Sequence, residues 1–175
     1  MELKLTRYYK TKDATDGILT LHGKRICCTA EHTPTCLKPG KYRIQQAPYE
    51  VSAAKKVEWP TPRTQEEAEI INLAKKRAVE HANDPTEDVE YVPAVVKEMP
   101  CLYSIRGKLT LGCIRDGNGV YQLSDASIII GEHQALGLCI LTDKTFRRFF
   151  SRLRKSWKRR EPTTLIIEDC AIEGA

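Results

Sequence analysis

Apolar and polar residues alternate with a period of two in short runs along this chain, and glycine- or proline-bearing turns interrupt the runs. That is the pattern of strands with one face on a core. Leu3, Leu5 and Arg7-Tyr8-Tyr9 open the first run. Asp16-Gly17 reads as a turn and Ile18-Leu19-Thr20-Leu21 as the next strand. His22-Gly23-Lys24 reads as a tight turn into Arg25-Ile26-Cys27-Cys28-Thr29-Ala30, so a hairpin is expected there. Pro39-Gly40 then leads into Lys41-Tyr42-Arg43-Ile44, which alternates again.

The pattern changes near Val51. Trp59-Pro60-Thr61-Pro62 is stiff and cannot be helical. Thr64 and Glu67 have the spacing of a capping box, which predicts a helix from there to about Asn83, stopped by Asn83-Asp84-Pro85. Its apolar stripe, Ile71, Ala74, Ala78 and Ala82, is thin, as expected of a helix lying on a surface. Strand character returns from Tyr91 to Cys139, with runs at Leu102–Ile105, Leu109–Leu111, Ser127–Ile130 and Leu136–Leu141 and a loop at Asp116-Gly117-Asn118-Gly119. Thr142 or Asp143 can cap a second helix reaching Arg160, where Phe146, Phe149, Phe150, Leu153 and Trp157 fall at helical intervals. Pro162 ends it and Thr163–Ile167 is a last strand. The expected fold is α+β: a small β-rich barrel or sandwich, an inserted polar helix, and a basic amphipathic helix near the C-terminus. Residues 1–175 read as one domain, with 51–92 as an insertion within it.

Composition agrees with a folded domain: 41% of the residues are hydrophobic and 29% charged. No run approaches the ~18 apolar residues of a membrane span. Met1–Arg7 lacks the apolar stretch of a signal peptide, so a cytoplasmic location is expected, with release by lysis if a phage encodes the chain. Seven cysteines are an odd number without framework spacing, the usage of reduced thiols, and Cys101 and Cys139 sit among apolar neighbours as core residues do.

Charge changes the picture more. The net charge is +5, yet Lys144 to Arg160 carry nine basic residues and no acidic one, which leaves −4 for the remainder. Arg147, Arg148, Arg152, Arg154, Lys155, Lys158, Arg159 and Arg160 surround the aromatic stripe. Such a face can meet phosphates, an acidic partner or an anionic membrane. The plainer reading is a solvated face whose arginines pair with surface acids.

Other constellations are weaker. Cys28, His32 and Cys36 are four apart with Cys27 adjacent, but a structural zinc site takes four ligands, and Cys27 points away from Cys28 on a strand. No metal and no cofactor is expected. Asp116, Asp125 and Glu132 could gather around the loop after Cys113, where a hydrolase could use two of the three carboxylates.

Three groups of residues, taken in order, resemble the bacterial and phage family called domain of unknown function 5675. They are Asp16-Gly17-x-Leu19 with Gly23 and Cys28-Thr29-Ala30-Glu31; Leu37-x-Pro39-Gly40-x-Tyr42, similar to that family's I-P-A-G-T-Y; and Ile114-x-x-Gly117-Asn118 with Ile128-x-x-Gly131 and the terminal helix. The resemblance skips roughly 51–92. It implies an I-H-x-G-N segment followed by G-C-I-x-x-G, a His and Cys pair similar to that of L,D-transpeptidases, in which a thiolate attacks an amide carbonyl beside an imidazole. At those positions this chain has Arg115 and Ser127, with Gly117 and Asn118 retained. A guanidinium stays protonated and cannot act as a base, and serine without a base is a poor nucleophile. Gly112-Cys113-Ile114-Arg115 also resembles the H-G-C-I-R core of L,D-transpeptidases, with Leu111 where histidine would stand. Three functions are therefore carried forward. The first is a non-catalytic phage or mobile-element accessory module related to a cell-wall-active type and binding peptidoglycan or an acidic partner. The second is a cysteine enzyme on peptidoglycan using Cys113. The third is nucleic-acid binding through residues 144–160.

Overall fold

A computed structural model of the chain describes residues 1–52, 61–82, 94–117 and 125–173. Among these the elements are β1 (Glu2–Lys10), β2 (Ala14–Leu21), β3 (Lys24–His32), β4 (Gly40–Ser52), α1 (Gln65–Ala82), β5 (Ala94–Ser104), β6 (Leu109–Arg115), β7 (Ile128–Ala135), β8 (Leu138–Ile140), α2 (Thr142–Lys158) and β9 (Thr164–Glu173). Two compact units are distinguished: Met1–Gln45 with Pro100–Ala175, and Gln46–Met99.

Hydrogen-bonded neighbours run β3-β2-β1-β9-β4-β5-β6-β7, and β3 pairs back onto β7, so eight strands close into a barrel with β8 added beside β7. Closure removes the free edges that an open sheet must protect. The fold is thus a small β-rich barrel with two helices, within the α+β class. Alternation sets what lies inside: on β1, Leu3, Leu5 and Arg7 are buried while Glu2, Lys4 and Tyr8 are exposed. Leu3, Leu5, Leu19, Ile114, Ile128 and Leu165 join one apolar cluster, to which α2 contributes Phe149 and Leu153. Each such side chain contributes roughly 1.5–3 kcal/mol by leaving water. On the outer face Ala14, Ala30, Ile129 and Cys139 form a second, smaller cluster with Leu136 against it.

Local chemistry explains several junctions. His22 (φ 52°) and Gly23 (φ 78°) are both left-handed, and Leu21 pairs with Lys24, which is the two-residue hairpin whose twist suits the flanking strands. Between β1 and β2 the reversal lies at Thr11, whose amide donates to Ala14 O at 2.8 Å and whose hydroxyl accepts from Ala14 N at 3.2 Å. Asp16-Gly17 is therefore not a turn; both residues lie inside β2. Gly17 is required for close approach instead, because a Cβ there would meet Thr29 Oγ1 at 2.7 Å and Thr6 O at 2.8 Å. Likewise Leu136–Leu141 is not one strand: Gly137 (φ 73°) turns the chain between β7 and β8.

In the second unit, Glu67 N donates to Thr64 Oγ1 at 3.1 Å, one half of the capping box. The Glu67 carboxylate accepts from Arg63 N at 2.9 Å rather than from Thr64. The Arg63 guanidinium reaches Gln46 O at 3.1 Å and Glu98 at 3.3 Å, tying the start of α1 to β4 and β5. The expected stop at Asn83-Asp84-Pro85 and the stiff Trp59-Pro60 lie outside the described residues, and the boundaries of the 51–92 insertion lie partly so.

α2 differs from expectation at both ends. Its N-cap is Leu141 (φ 56°), without a side-chain cap bond; Thr142 is already helical and Asp143 sits in the first turn. It ends at Lys158, before Arg160. Arg160 N donates to Trp157 O at 2.9 Å and Glu161 N to Ser156 O at 3.1 Å, the paired bonds of a Schellman motif. Arg160 (φ 56°) occupies the left-handed position of that motif, where glycine is usual and another residue costs about 1–2 kcal/mol. Among the described residues no helix is long and apolar enough to cross a membrane.

Candidate functional site

The cations of α2 all face solvent. Arg147 pairs with Asp143 at 2.9 Å, both well exposed, and Arg154 lies 4.4 Å from the centre of the Phe150 ring. Among the described residues Lys144, Arg148, Arg152, Lys155, Lys158 and Arg159 have no acidic partner within 4 Å. Beneath them Phe146 stacks on Phe150 at 5.5 Å, and Phe150 meets Trp157 edge-on at 6.1 Å.

Two clefts flank the helix. The first, of about 530 Å³, has an apolar floor of Leu21, Ile26 and Phe149, and its walls carry Lys24, Arg25, Arg148 and Arg152. Its acid, Glu132, is held by Arg25, which also donates to Cys28 Sγ at 3.1 Å. The second, of about 650 Å³, lies at the helix C-terminus and brings Lys41 and Arg43 of β4 beside Trp157 and Arg160. Its acid, Glu161, accepts from Ser156 Oγ at 3.3 Å.

The positions marked by the family resemblance lie elsewhere, on β6 and the start of β7. Ile114 pairs with Ile128 and both point inward, so Cys113, Arg115 and Ser127 belong to the outer face. Cys113 and Ser127 are 0% and 1% exposed and meet each other, Sγ to Oγ, at 3.5 Å. Arg115 Nε donates to Asp116 O at 3.1 Å. Gly117 N donates to Thr142 Oγ1 at 3.4 Å. Asn118 lies outside the described residues. Asp125 Oδ1 accepts from Ser127 N at 2.9 Å, whereas Glu132 is seven residues later, on β7 with Arg25, so these two acids do not gather at one point. The spaced Cys/His set is separated by its partners as well. His32 Nδ1 meets Thr35 Oγ1 at 3.1 Å, Cys36 Sγ donates to Thr33 O at 3.2 Å, Cys28 sits with Arg25, and Cys27 joins the barrel interior.

Two buried polar groups escaped sequence reasoning. Inside the barrel, Arg7 Nε and an Nη each donate to Glu31 at 2.8 Å, the two side chains being 2% and 0% exposed, and Arg7 also donates to Leu37 O at 2.6 Å. A signal was present: Arg7 follows Leu3 and Leu5, and Glu31 follows Cys27 and Thr29, at the same strand parity. On the outer face, His133 Nε2 contacts Thr29 O at 2.8 Å, and a carbonyl can only accept, so that nitrogen carries the proton. Nδ1 then accepts the Tyr8 hydroxyl at 2.7 Å. Tyr8 reaches it from a β-bulge, where the register of β1 slips between Arg7 and Tyr9. Asp16 Oδ1 accepts from Gly137 N at 3.0 Å, and burial pushes its carboxyl above the usual range. Burial, then the charge of Asp16, also raises the Tyr8 phenol, which makes it a poor nucleophile; this cluster clamps the β7–β8 turn to β2.

No family model, curated protein or solved structure matches the chain. The functional reading therefore stands on the chemistry of the surface.

Proposed function

We propose that this protein is a non-catalytic module that binds nucleic acid on the exposed face of α2. One observation carries the reading: a helix dense in cations, of which only Arg147 meets an acid among the described residues. The plainer alternative required arginines paired with surface acids, and Arg147–Asp143 is the one such pair on α2 among the described residues. Like charges four apart, Lys144 with Arg148, Arg148 with Arg152, Arg154 with Lys158 and Lys155 with Arg159, together cost the helix about 1–2 kcal/mol. The helix dipole favours Lys155 and Lys158 in the last turn, but it opposes Lys144 in the first. Stability alone does not account for such an arrangement, whereas a polymer with a phosphate at every step does.

The other readings find less support. An amphipathic helix lying on a membrane must present its apolar face to lipid, and here Phe149 and Leu153 are inside the protein. A cysteine enzyme needs a thiol open to substrate, and Cys113 has no exposed surface. Peptidoglycan binding rests on the family resemblance alone.

The test is retention on immobilised DNA or RNA across a salt series. Neutralising about five phosphates predicts a slope of log K against log salt of about −4.5 for duplex. Changing Arg148, Arg152 and Lys155 to glutamate should flatten that slope by about 3 and abolish retention at physiological salt. Unchanged retention of the triple variant would refute the proposal.

A further inference from the structure

We infer that the cleft beside Trp157 receives an unpaired base, so that the nucleic acid held on α2 is single-stranded; this rests on the function proposed above and narrows its ligand. The cleft is not a bare phosphate site. It combines Arg43 and Arg160, and Lys41, which pairs with Glu2 at 3.4 Å, with the Trp157 indole and with Ile105, which is 44% exposed on the turn after β5. In a duplex the base faces are stacked inward and only phosphates and base edges reach a protein surface. An aromatic and apolar wall flanked by cations is of use only to a base that has left the stack.

The indole is already fixed for such a role. Trp157 Nε1 donates to Thr163 Oγ1 at 2.8 Å, and Thr163 in turn donates to Ile44 O at 2.6 Å. Phe150 also meets the ring system at a near-perpendicular angle of 80°, ring centres 6.1 Å apart. A stacking base therefore meets a ring that loses no rotamer freedom on binding. Arg160 gives a second, independent indication. It stands in the left-handed Schellman position, where glycine would be free of strain, so its guanidinium is kept in the cleft against the preference of the backbone.

The two clefts also suit one strand. Arg148 and Arg152 in the first and Arg160 in the second are eight to twelve residues apart, roughly 12–18 Å along the helix at 1.5 Å per residue. At about 3.4 Å per nucleotide a strand of four or five nucleotides bridges them. Its backbone would follow the exposed cations of α2, with one base turned into the Trp157 cleft.

The experiment compares a ten-nucleotide oligo(dT), a ten-nucleotide oligo(U) and a ten-base-pair duplex in low salt, using Trp59→Phe protein so that Trp157 alone reports. Either single strand should quench Trp157 emission and bind about tenfold or more tighter than the duplex, the range expected for one stacked base. Ile105→Ser, at an exposed turn, should weaken single-strand binding several-fold and leave the duplex unaffected. Arg160→Gly should weaken single-strand binding more than duplex binding while raising the melting temperature by about 2–8 °C, a combination that a purely structural arginine could not produce. Equal affinity for single strand and duplex, with Trp157 emission unchanged, overturns the inference and leaves the α2 surface standing. Absence of salt-dependent binding to any of the three removes the underlying function as well.

Discussion

The buried Arg7–Glu31 pair permits a quantitative test of how the barrel is held. Replace Arg7 by methionine, which keeps an unbranched apolar stem and removes the charged guanidinium. The Glu31 carboxylate is 0% exposed and loses both 2.8 Å donors, while Leu37 O loses its 2.6 Å partner. An uncompensated charge left inside a protein costs about 3–5 kcal/mol. With a urea m-value of about 2 kcal/mol/M, the unfolding midpoint should fall by roughly 1.5–2.5 M. Replacing both partners, Arg7→Met with Glu31→Leu, removes the stranded charge and should return the midpoint to near the wild-type value or above it. Acidification supplies a third arm. Burial already pushes the Glu31 carboxyl above its ordinary pKa, with the hydrogen bond and charge of Arg7 pulling it back. Without Arg7 the folded-state pKa rises further above the unfolded one. A group of that kind contributes stability that is present below the unfolded pKa and is lost as pH rises through the folded pKa. The Arg7→Met protein should therefore be weakest near about pH 8 and recover toward the wild type near about pH 5. Urea unfolding followed by far-ultraviolet circular dichroism at both values measures all of this. A loss under about 1 kcal/mol, or a double variant no more stable than Arg7→Met alone, would refute the reasoning.

Two further expectations concern packing and thiols. Gly17→Ala places a methyl 2.8 Å from the backbone oxygen of Thr6 and 2.7 Å from Thr29 Oγ1, and should cost about 1–3 kcal/mol, read as a fall in melting temperature; a wild-type melting temperature would mean that β1 and β2 are not so close. Native protein treated with iodoacetamide should react first at exposed Cys170, and slowly at Cys27 and Cys139, whose thiols burial pushes up to about 12. Peptide mapping checks this, and rapid labelling of Cys113 would contradict its buried placement.

Much of the β architecture is legible in the residues because strand parity is a local property. Leu3, Leu5 and Arg7 occupy one parity, and the His22-Gly23 turn is written in two residues whose backbones both turn left-handed. Errors came where one local signal had two physical uses. Asp-Gly is a turn dipeptide when the backbone must reverse, yet Gly17 is needed because β1 and β3 leave no room for a Cβ. Gly137 lies in an apolar run that reads as strand, yet it reverses the chain. Parity alone also leaves unsaid that inward-facing charges meet each other: Arg7 and Glu31 lie 24 residues apart and become partners only when β1 and β3 face each other inside the barrel.

The same division holds for the candidate site. The run of cations from Lys144 to Arg160 is visible in the sequence, since it depends on composition and helical spacing alone. What decides whether those charges are neutralised is where the acids elsewhere in the chain come to lie. That, like the gathering of Lys41, Arg43, Trp157 and Arg160 around one cleft, follows from β9 pairing with β4 after the turn that ends α2. Periodicity determines which face of an element seeks the core, because it acts over a few residues. Register and ring closure determine which distant side chains meet, because they are settled by the packing of the whole barrel.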